Sequence, residues 1–186
     1  MILIVGHYRS GTSACAGVLH NLGVDMGGHF APPDEWNAKG NFVDQGMHHA
    51  LQCHDAAMLR EALANRQEPW GIKDHAVFDS PEALDMFPDP RVILCIRPSD
   101  LSTDSYRERV KANYDADQAK AEHARVRSKI AALLLTPKLR AAPKLTVNMA
   151  ELNNALAYVT KLAAFVGLPA NQAAVDFIDP TLIRFS

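Results

Sequence analysis

Short apolar runs alternate along the chain with longer segments in which apolar residues recur every three or four positions. The first run, residues 1–5, predicts a strand that Gly6 ends, and the apolar spacing from Thr12 onward predicts a helix that ends at Gly23. Further strands are predicted at 70–73, 91–96 and 144–147. Further helices are predicted at 43–64, 99–112, 115–135 and 150–166, with a short one from Pro81. This alternation predicts an α/β fold, a parallel β-sheet flanked by helices and joined by right-handed crossovers.

Length and charge limit what the chain can be. It has 186 residues, of which 48% are hydrophobic, enough for one domain with a real core. No repeat or low-complexity linker divides it, so we expect a single domain over 1–186. The formal net charge is −2, which gives no basic surface for nucleic acid. A bound anion must therefore be held by a few well-placed cations.

The cysteines and the hydropathy indicate a compartment. Cys15, Cys53 and Cys95 are odd in number, far apart and never in C-x-x-C, which disfavours a disulfide scaffold or a cysteine zinc site. No apolar run approaches the roughly 20 residues that span a bilayer. The chain also begins directly with the predicted strand rather than with a charged leader. We expect a soluble cytoplasmic protein without a membrane span.

The loop after the first predicted strand, G-H-Y-R-S-G-T-S from Gly6 to Ser13, has the form of an anion-binding loop. A loop between a strand and a helix points several backbone N–H groups at one place, and the helix dipole adds positive charge there. The usual nucleotide loop is G-x-x-x-x-G-K-S/T, but here Thr12 takes the lysine position and Arg9 lies inside the loop. This favours an anion clamped by guanidinium and hydroxyl groups over a triphosphate with Mg²⁺. The alternative is a glycine turn that only starts a helix.

A second cation follows the predicted strand at 91–96. Nucleotide hydrolases often end such a strand in an aspartate that helps to hold Mg²⁺, whereas this strand ends in Arg97. Asp74, which follows the predicted strand at 70–73, is the one residue that could support a metal instead. The sequence predicts anion binding without a metal ion.

Four segments, in chain order, resemble the sulfotransferases that use 3′-phosphoadenosine-5′-phosphosulfate (PAPS). Residues 6–14, G-H-Y-R-S-G-T-S-A, are similar to the family's 5′-phosphosulfate loop in its bacterial and tyrosylprotein form, where arginine replaces a lysine. Residues 37–44, N-A-K-G-N-F-V-D, are similar to the bacterial segment N-x-x-G-x-F-E-D. Residues 97–105, R-P-S-D-L-S-T-D-S, resemble the 3′-phosphate motif, and residues 145–152, L-T-V-N-M-A-E-L, the last strand. The resemblance implies a P-loop NTPase-like sulfotransferase fold over the single domain.

The resemblance also implies a role for each matching residue. The loop residues that would bind the 5′ end of PAPS are Tyr8, Arg9, Ser10, Gly11, Thr12 and Ser13. Arg97 and Ser105 would bind its 3′-phosphate. Arg9 and Lys73 would act in catalysis by stabilising negative charge that develops during transfer of the sulfuryl group.

An acceptor hydroxyl also needs a general base. The segment I-K-D-H-A around His75 is similar to the K-S/T-H-L segment of cytosolic members, whose histidine is catalytic. Some bacterial relatives use a glutamate from the loop after the first helix, and Glu35, Asp34 and His29 lie in such a loop here. His75 is the first candidate and Glu35 the second, and the choice stays open.

Two other features leave rival interpretations. His48, His49, His54 and Cys53 do not share one helix face, so we interpret them as a solvated or lining face rather than as a metal site.

The chain is short for the family and lacks its C-terminal glycine-rich and basic segment. The rival functions are a P-loop kinase for a small substrate and a non-catalytic module that binds an anion or a partner. The acceptor, whether small molecule, sugar or peptide, and a homo-oligomeric state are left open by the sequence.

Overall fold

Four parallel strands form one sheet in the order β2-β1-β3-β4. The computed structural model describes residues 1–34, 37–109, 115–179 and 181. The strands are β1 Ile2–Gly6, β2 Gly71–Ile72, β3 Arg91–Ile96 and β4 Lys144–Asn148. β1 pairs with β3 along its whole length, with Gly6 opposite Cys95, and β3 pairs in the same way with β4. Because all strands are parallel, their carboxyl ends lie at one edge of the sheet.

Helices connect the strands and cover both faces of the sheet. They are α1 Thr12–Leu22, α2 Gln45–Gln52, α3 Ala56–Ala64, α4 Ser99–Arg109, α5 Ala116–Leu135, α6 Pro137–Ala141, α7 Ala155–Val166 and α8 Gln172–Phe177. Short 3₁₀ helices lie at His75–Phe78, Pro81–Met86 and Met149–Asn153. None of the described helices is both long enough and apolar enough to cross a membrane.

The alternation of side chains along β1 divides the core in two. Ile2 and Ile4 pack with residues of α1, α7 and α8 on one face. Leu3 and Val5, both 0% exposed, pack with residues of α2, α5 and α6 on the other. Burying each such side chain stabilises the fold by about 1.5 to 3 kcal/mol. A strand buried on both faces is typical of a parallel sheet, which is why β1 is apolar throughout.

The predicted α/β class and the parallel sheet flanked by helices are confirmed. The arrangement agrees with a P-loop NTPase-like fold, and its sulfotransferase form stays a prediction. All three cysteines are free, Cys15 and Cys95 in the core and Cys53 at the surface.

Several predicted helix bounds are wrong. The helix predicted at 43–64 is broken into α2 and α3, because Asp55 accepts hydrogen bonds from the N–H groups of Ala57 and Met58 and so starts a new helix. His54, just before it, has a left-handed backbone with φ of 51°. The helix predicted from residue 150 starts at Ala155 after a 3₁₀ turn, and α6 and α8 were not predicted. Residues 110–112, the end of another predicted helix, lie outside the described residues.

Candidate functional site

The loop between β1 and α1 folds back over Gly6. A Cβ atom at Gly6 would lie 2.4 Å from Ser10 Oγ and 2.8 Å from the carbonyl oxygen of Cys95. Both distances are shorter than any real contact of a Cβ, so only glycine fits at this position. The tight fold buries Ser10, and its hydroxyl oxygen has no hydrogen-bond partner among the described residues. A buried hydroxyl without a partner is uncommon and marks a place where a ligand could supply one.

The amino terminus of α1 opens towards the same place. Gly11, the residue before the helix, has a left-handed backbone with φ of 90°, and no described side chain caps the helix. The first N–H groups of a helix have no partner within the helix, and they carry the positive end of its dipole. Together with Ser10 they form a cradle that suits a phosphate or sulfate group. Thr12 is buried and Ser13 is half-buried beside it.

Two arginines and a serine that are distant in sequence meet beside this loop. Arg9 Nε donates a hydrogen bond of 3.2 Å to Ser105 Oγ, across 96 residues of chain. Arg97 Nη1 donates one of 3.3 Å to the carbonyl oxygen of Arg9. We call Arg9, Arg97 and Ser105 the arginine cluster. The loop and the segment that begins at Arg97, which the sequence presents as two anion sites, are thus brought into direct contact.

Arg97 and α4 are fixed by contacts with the rest of the loop. Arg97 is only 7% exposed, and its carbonyl oxygen lies 3.2 Å from His7 Nε2. The ring of Tyr8 stacks on that of Tyr106 in α4, with their centroids 5.0 Å apart. These contacts hold the backbone of Arg97 and helix α4 against the loop, and the hydrogen bond from Nη1 to Arg9 fixes one end of the guanidinium. A side chain that is already fixed loses less entropy when it binds an anion. The predicted contact of Tyr8 with PAPS stays a prediction.

A buried histidine packs against this aromatic pair from α5. His123 is 0% exposed, and neither ring nitrogen has a hydrogen-bond partner among the described residues. Its ring meets those of His7, Tyr8 and Tyr106 edge-on. Burial lowers the pKa of His123 to about 4, and burial also lowers the pKa of His7. At neutral pH His123 is therefore an uncharged packing residue beneath the loop.

Lys73 follows β2 and is buried near the loop. Its Nζ donates a hydrogen bond of 3.0 Å to the carbonyl oxygen of Asn41, in the segment 37–44. Burial lowers the pKa of Lys73 to about 8, the Asp74 carboxylate acts in the opposite direction, and the charge of Arg9 lowers it further. The lysine therefore carries most of its charge at neutral pH, in a desolvated place where the charge acts strongly.

His75 lies against the end of β1, where the loop begins. Its Nε2 is 3.3 Å from the carbonyl oxygen of Gly6, so this nitrogen donates its proton there. The ring packs on Tyr8, with centroids 4.7 Å apart, and on Phe78. Burial, with the charge of Lys73 as the next cause, lowers the pKa of His75 to about 4. The assignment of His75 as general base stays a prediction.

A histidine and an aspartate that the sequence did not connect form a close pair beside Lys73. His48 Nδ1 lies 2.9 and 3.0 Å from the two carboxylate oxygens of Asp74. Asp74 also caps the 3₁₀ helix His75–Phe78 by accepting from the N–H of Ala76. We call Lys73, Asp74, His75 and His48 the β2 corner.

The other candidates for the base lie elsewhere. Glu35 is outside the described residues. Asp34 is exposed and accepts a hydrogen bond of 2.6 Å from the N–H of Asn37. His29 lines a separate cleft of about 700 Å³ next to α3, which Asp25, Asp44 and Arg66 also line. Arg66 lies between the two aspartates there.

No metal centre is formed by the residues that the structure describes. Of the histidines interpreted above as a solvated or lining face, His54 pairs with Glu82 at 2.8 Å, and His49 contacts Cys53. Asp74, the one residue that could have supported a metal, directs its carboxylate to His48.

The predicted residues thus fall into two groups at one edge of the sheet. The structure brings Arg9, Arg97 and Ser105 together, and it puts Lys73 and His75 near the loop from the other side. Sequence reasoning missed the pairing of His48 with Asp74, although the place of His48 soon after the segment 37–44 was a usable signal. It also missed Tyr106, the neighbour of Ser105. No family model matches the sequence of this chain.

Proposed function

We propose that this protein is a sulfotransferase, which moves a sulfuryl group from PAPS to a hydroxyl or amine acceptor. The observation that carries the proposal is the arginine cluster, in which Arg9 of the loop meets Arg97 and Ser105. A donor with a 5′-phosphosulfate and a 3′-phosphate needs two neighbouring anion sites on a single surface. The carboxyl edge of a parallel sheet is where α/β folds bind such ligands.

The residues present fit this donor. The uncapped start of α1 and the buried Ser10 hydroxyl suit its 5′ end, because both supply hydrogen-bond donors that lack partners within the described chain. Arg97 and Ser105 suit its 3′-phosphate, because a guanidinium can bind a phosphate through two parallel hydrogen bonds. PAPS itself supplies the activated sulfuryl group.

The charges near the loop suit the transfer. Negative charge grows on the sulfuryl oxygens and on the departing 5′-phosphate, and fixed cations lower the barrier to that change. Lys73 is buried, held by Asn41 and mostly charged at neutral pH, so it is placed to act in this way. Arg9 is the second cation, once its guanidinium turns from Ser105 towards the transferred group.

Two rivals share the scaffold. A P-loop kinase for a small substrate would hold ATP with Mg²⁺, and the absence of a lysine at Thr12 disfavours it. A non-catalytic module would bind the anion without turnover.

We place the sulfotransferase in the cytoplasm, with a small-molecule, sugar or peptide acceptor and a possible homo-oligomeric state.

Calorimetric titration tests the proposal. The purified protein is titrated with 3′-phosphoadenosine-5′-phosphate (PAP), the product of transfer, and separately with ATP and Mg²⁺. We expect PAP to bind, ATP not to compete, and Arg97→Ala to weaken PAP about 100-fold, the size of a lost charged contact. Arg91→Ala is the matched control, since Arg91 lies at the other end of β3 and contacts Phe165. Binding of ATP with Mg²⁺ in place of PAP would reject the sulfotransferase.

A further inference from the structure

The pair of His48 and Asp74 has the geometry of a base held by a carboxylate. The carboxylate of Asp74 only accepts hydrogen bonds, so the proton of the neutral His48 ring must lie on Nδ1, which faces it at 2.9 Å. The lone pair of the ring is then on Nε2. This is how an aspartate holds a catalytic histidine in its working tautomer.

Burial differs strongly between the two partners. The side chain of Asp74 is 3% exposed, whereas that of His48 is 33% exposed. Among the described residues nothing forms a hydrogen bond with Nε2 of His48 in the structure. The carboxylate is thus fixed inside the fold, whereas a third of the His48 side chain is open to solvent.

The pair lies beside the residues assigned to transfer. Asp74 directly follows Lys73 in the chain, and it starts the 3₁₀ helix that carries His75. His48 is close enough to His75 for the charge of one to affect the other. His75 is bonded to the carbonyl oxygen of Gly6, which anchors the loop strand.

The candidate bases therefore differ in what they can do. His75 has one nitrogen tied to the loop and a pKa of about 4, so it accepts a proton poorly at neutral pH. His48 turns Nδ1 to the carboxylate of Asp74, which leaves the lone pair of Nε2 for a proton from the acceptor. We infer that His48 is the general base for the acceptor, with Asp74 as its positioning residue, and this inference rests on the proposed function.

The proton and electron balance of the step is simple. Nε2 of His48 takes the proton of the acceptor hydroxyl or amine while the acceptor atom forms its bond to sulfur. The bond between sulfur and the 5′-phosphate oxygen breaks, and its electron pair leaves with PAP. The imidazolium next to Asp74 then releases its proton to solvent through its exposed side.

The test compares two neighbouring histidines. His48→Gln and His49→Gln are assayed for transfer from radiolabelled PAPS to a panel of phenols, amines, sugars and tyrosine peptides, with water as the default acceptor. Each is also titrated with PAP. We expect His48→Gln to lower kcat about 100-fold, with the PAP affinity unchanged. His49, which is exposed and whose ring contacts Cys53, should be replaceable without effect.

Chemical rescue distinguishes a base from a packing residue. In His48→Gly, added imidazole should restore at least part of kcat, and in Asp74→Asn kcat should fall while the PAP affinity holds. The inference is overturned if His48→Gln keeps its kcat, if imidazole restores nothing, or if the parent binds PAP and transfers to no acceptor. If the parent binds no PAP, the proposed function fails first, and the inference with it.

Discussion

The arginine cluster and the β2 corner lie on two sides of one loop, and they are built differently. Arg9 donates a hydrogen bond of 3.2 Å to Ser105, and Arg97 donates one to the carbonyl oxygen of Arg9, so that two guanidinium groups lie close together. The β2 corner instead combines Lys73 with the carboxylate of Asp74 and two histidines. A cluster of cations suits the binding of an anion, whereas mixed charges suit movement of a proton. Binding and chemistry should therefore respond separately to substitution.

The largest expected effect comes from Gly6→Ala, which disturbs both sides at once. The new Cβ would meet the Cys95 carbonyl oxygen, a backbone atom that cannot move away, and Ser10. We expect about 3 kcal/mol of lost stability in urea unfolding, as for other overpacked sites, and loss of PAP binding. Gly28→Ala is the control, because nothing lies within 4 Å of a Cβ there. Equal stability of the two variants would contradict the packing of the loop.

Lys73→Ala should separate chemistry from binding. Removing one stabilising cation lowers kcat for PAPS turnover about 100-fold. The affinity for PAP, which lacks the sulfuryl group, should change less than about threefold, since the binding cations remain. Turnover and calorimetry on the same preparation make the comparison. A parallel loss of both would assign Lys73 to the binding side.

The pH dependence of kcat/KM for PAPS should test the role of the Lys73 charge. Lys73 has a pKa of about 8, so its positive charge is lost as the pH rises through that value. We expect kcat/KM for PAPS, which reports the free enzyme, to fall above about pH 8. Lys73→Arg should move this fall to higher pH, since guanidinium keeps its proton. An unchanged profile in Lys73→Arg would show that another group titrates.

His123→Phe should affect stability and leave the β2 corner alone. Its pKa is about 4 in the fold against 6.5 ordinarily, so as the pH falls between these values the unfolded chain takes up a proton that the folded chain does not. The histidine should thus cost about 2 kcal/mol of stability between pH 7 and pH 5. Urea unfolding at both pH values should show that His123→Phe loses less than the parent. An identical loss would mean that His123 is not the buried neutral group described.

The smallest expected effect is that of Ser105→Ala within the arginine cluster. Loss of one hydroxyl partner costs about 1 kcal/mol, which weakens PAP about fivefold. Ser128→Ala is the control, because that serine is exposed on α5 and its hydroxyl donates to the carbonyl oxygen of Ala124 within the same helix. A change as large as that of Arg97→Ala would indicate that Ser105 holds α4 in place rather than the ligand.

The two sides also differ in how far the sequence predicts them. Short-range sequence patterns predict the loop with Gly6 and Gly11 and the end of a strand at Arg97. Apolar β-branched runs and the glycines that follow them mark strand ends locally. The contact of Arg9 with Ser105 needs only that α4 returns over the loop. The parallel sheet itself follows from the alternation of strands and helices.

The β2 corner depends on packing that no local pattern records. His48 meets Asp74 across 26 residues, because α2 packs against the 3₁₀ helix His75–Phe78. The apolar spacing continues through residues 43–64, so the spacing alone does not predict that Asp55 caps a new helix within this segment.

The central claim is that Arg97 binds the 3′-phosphate of the donor. The most direct test removes the phosphate from the ligand and the arginine side chain from the protein, separately and together. PAP and adenosine 5′-phosphate, which lacks the 3′-phosphate, are titrated into the parent and into Arg97→Ala. The account predicts that the parent prefers PAP about 100-fold, and that Arg97→Ala loses most of this preference because its partner is gone. An equal preference in both proteins would contradict it, since Arg97 would then not contact that phosphate.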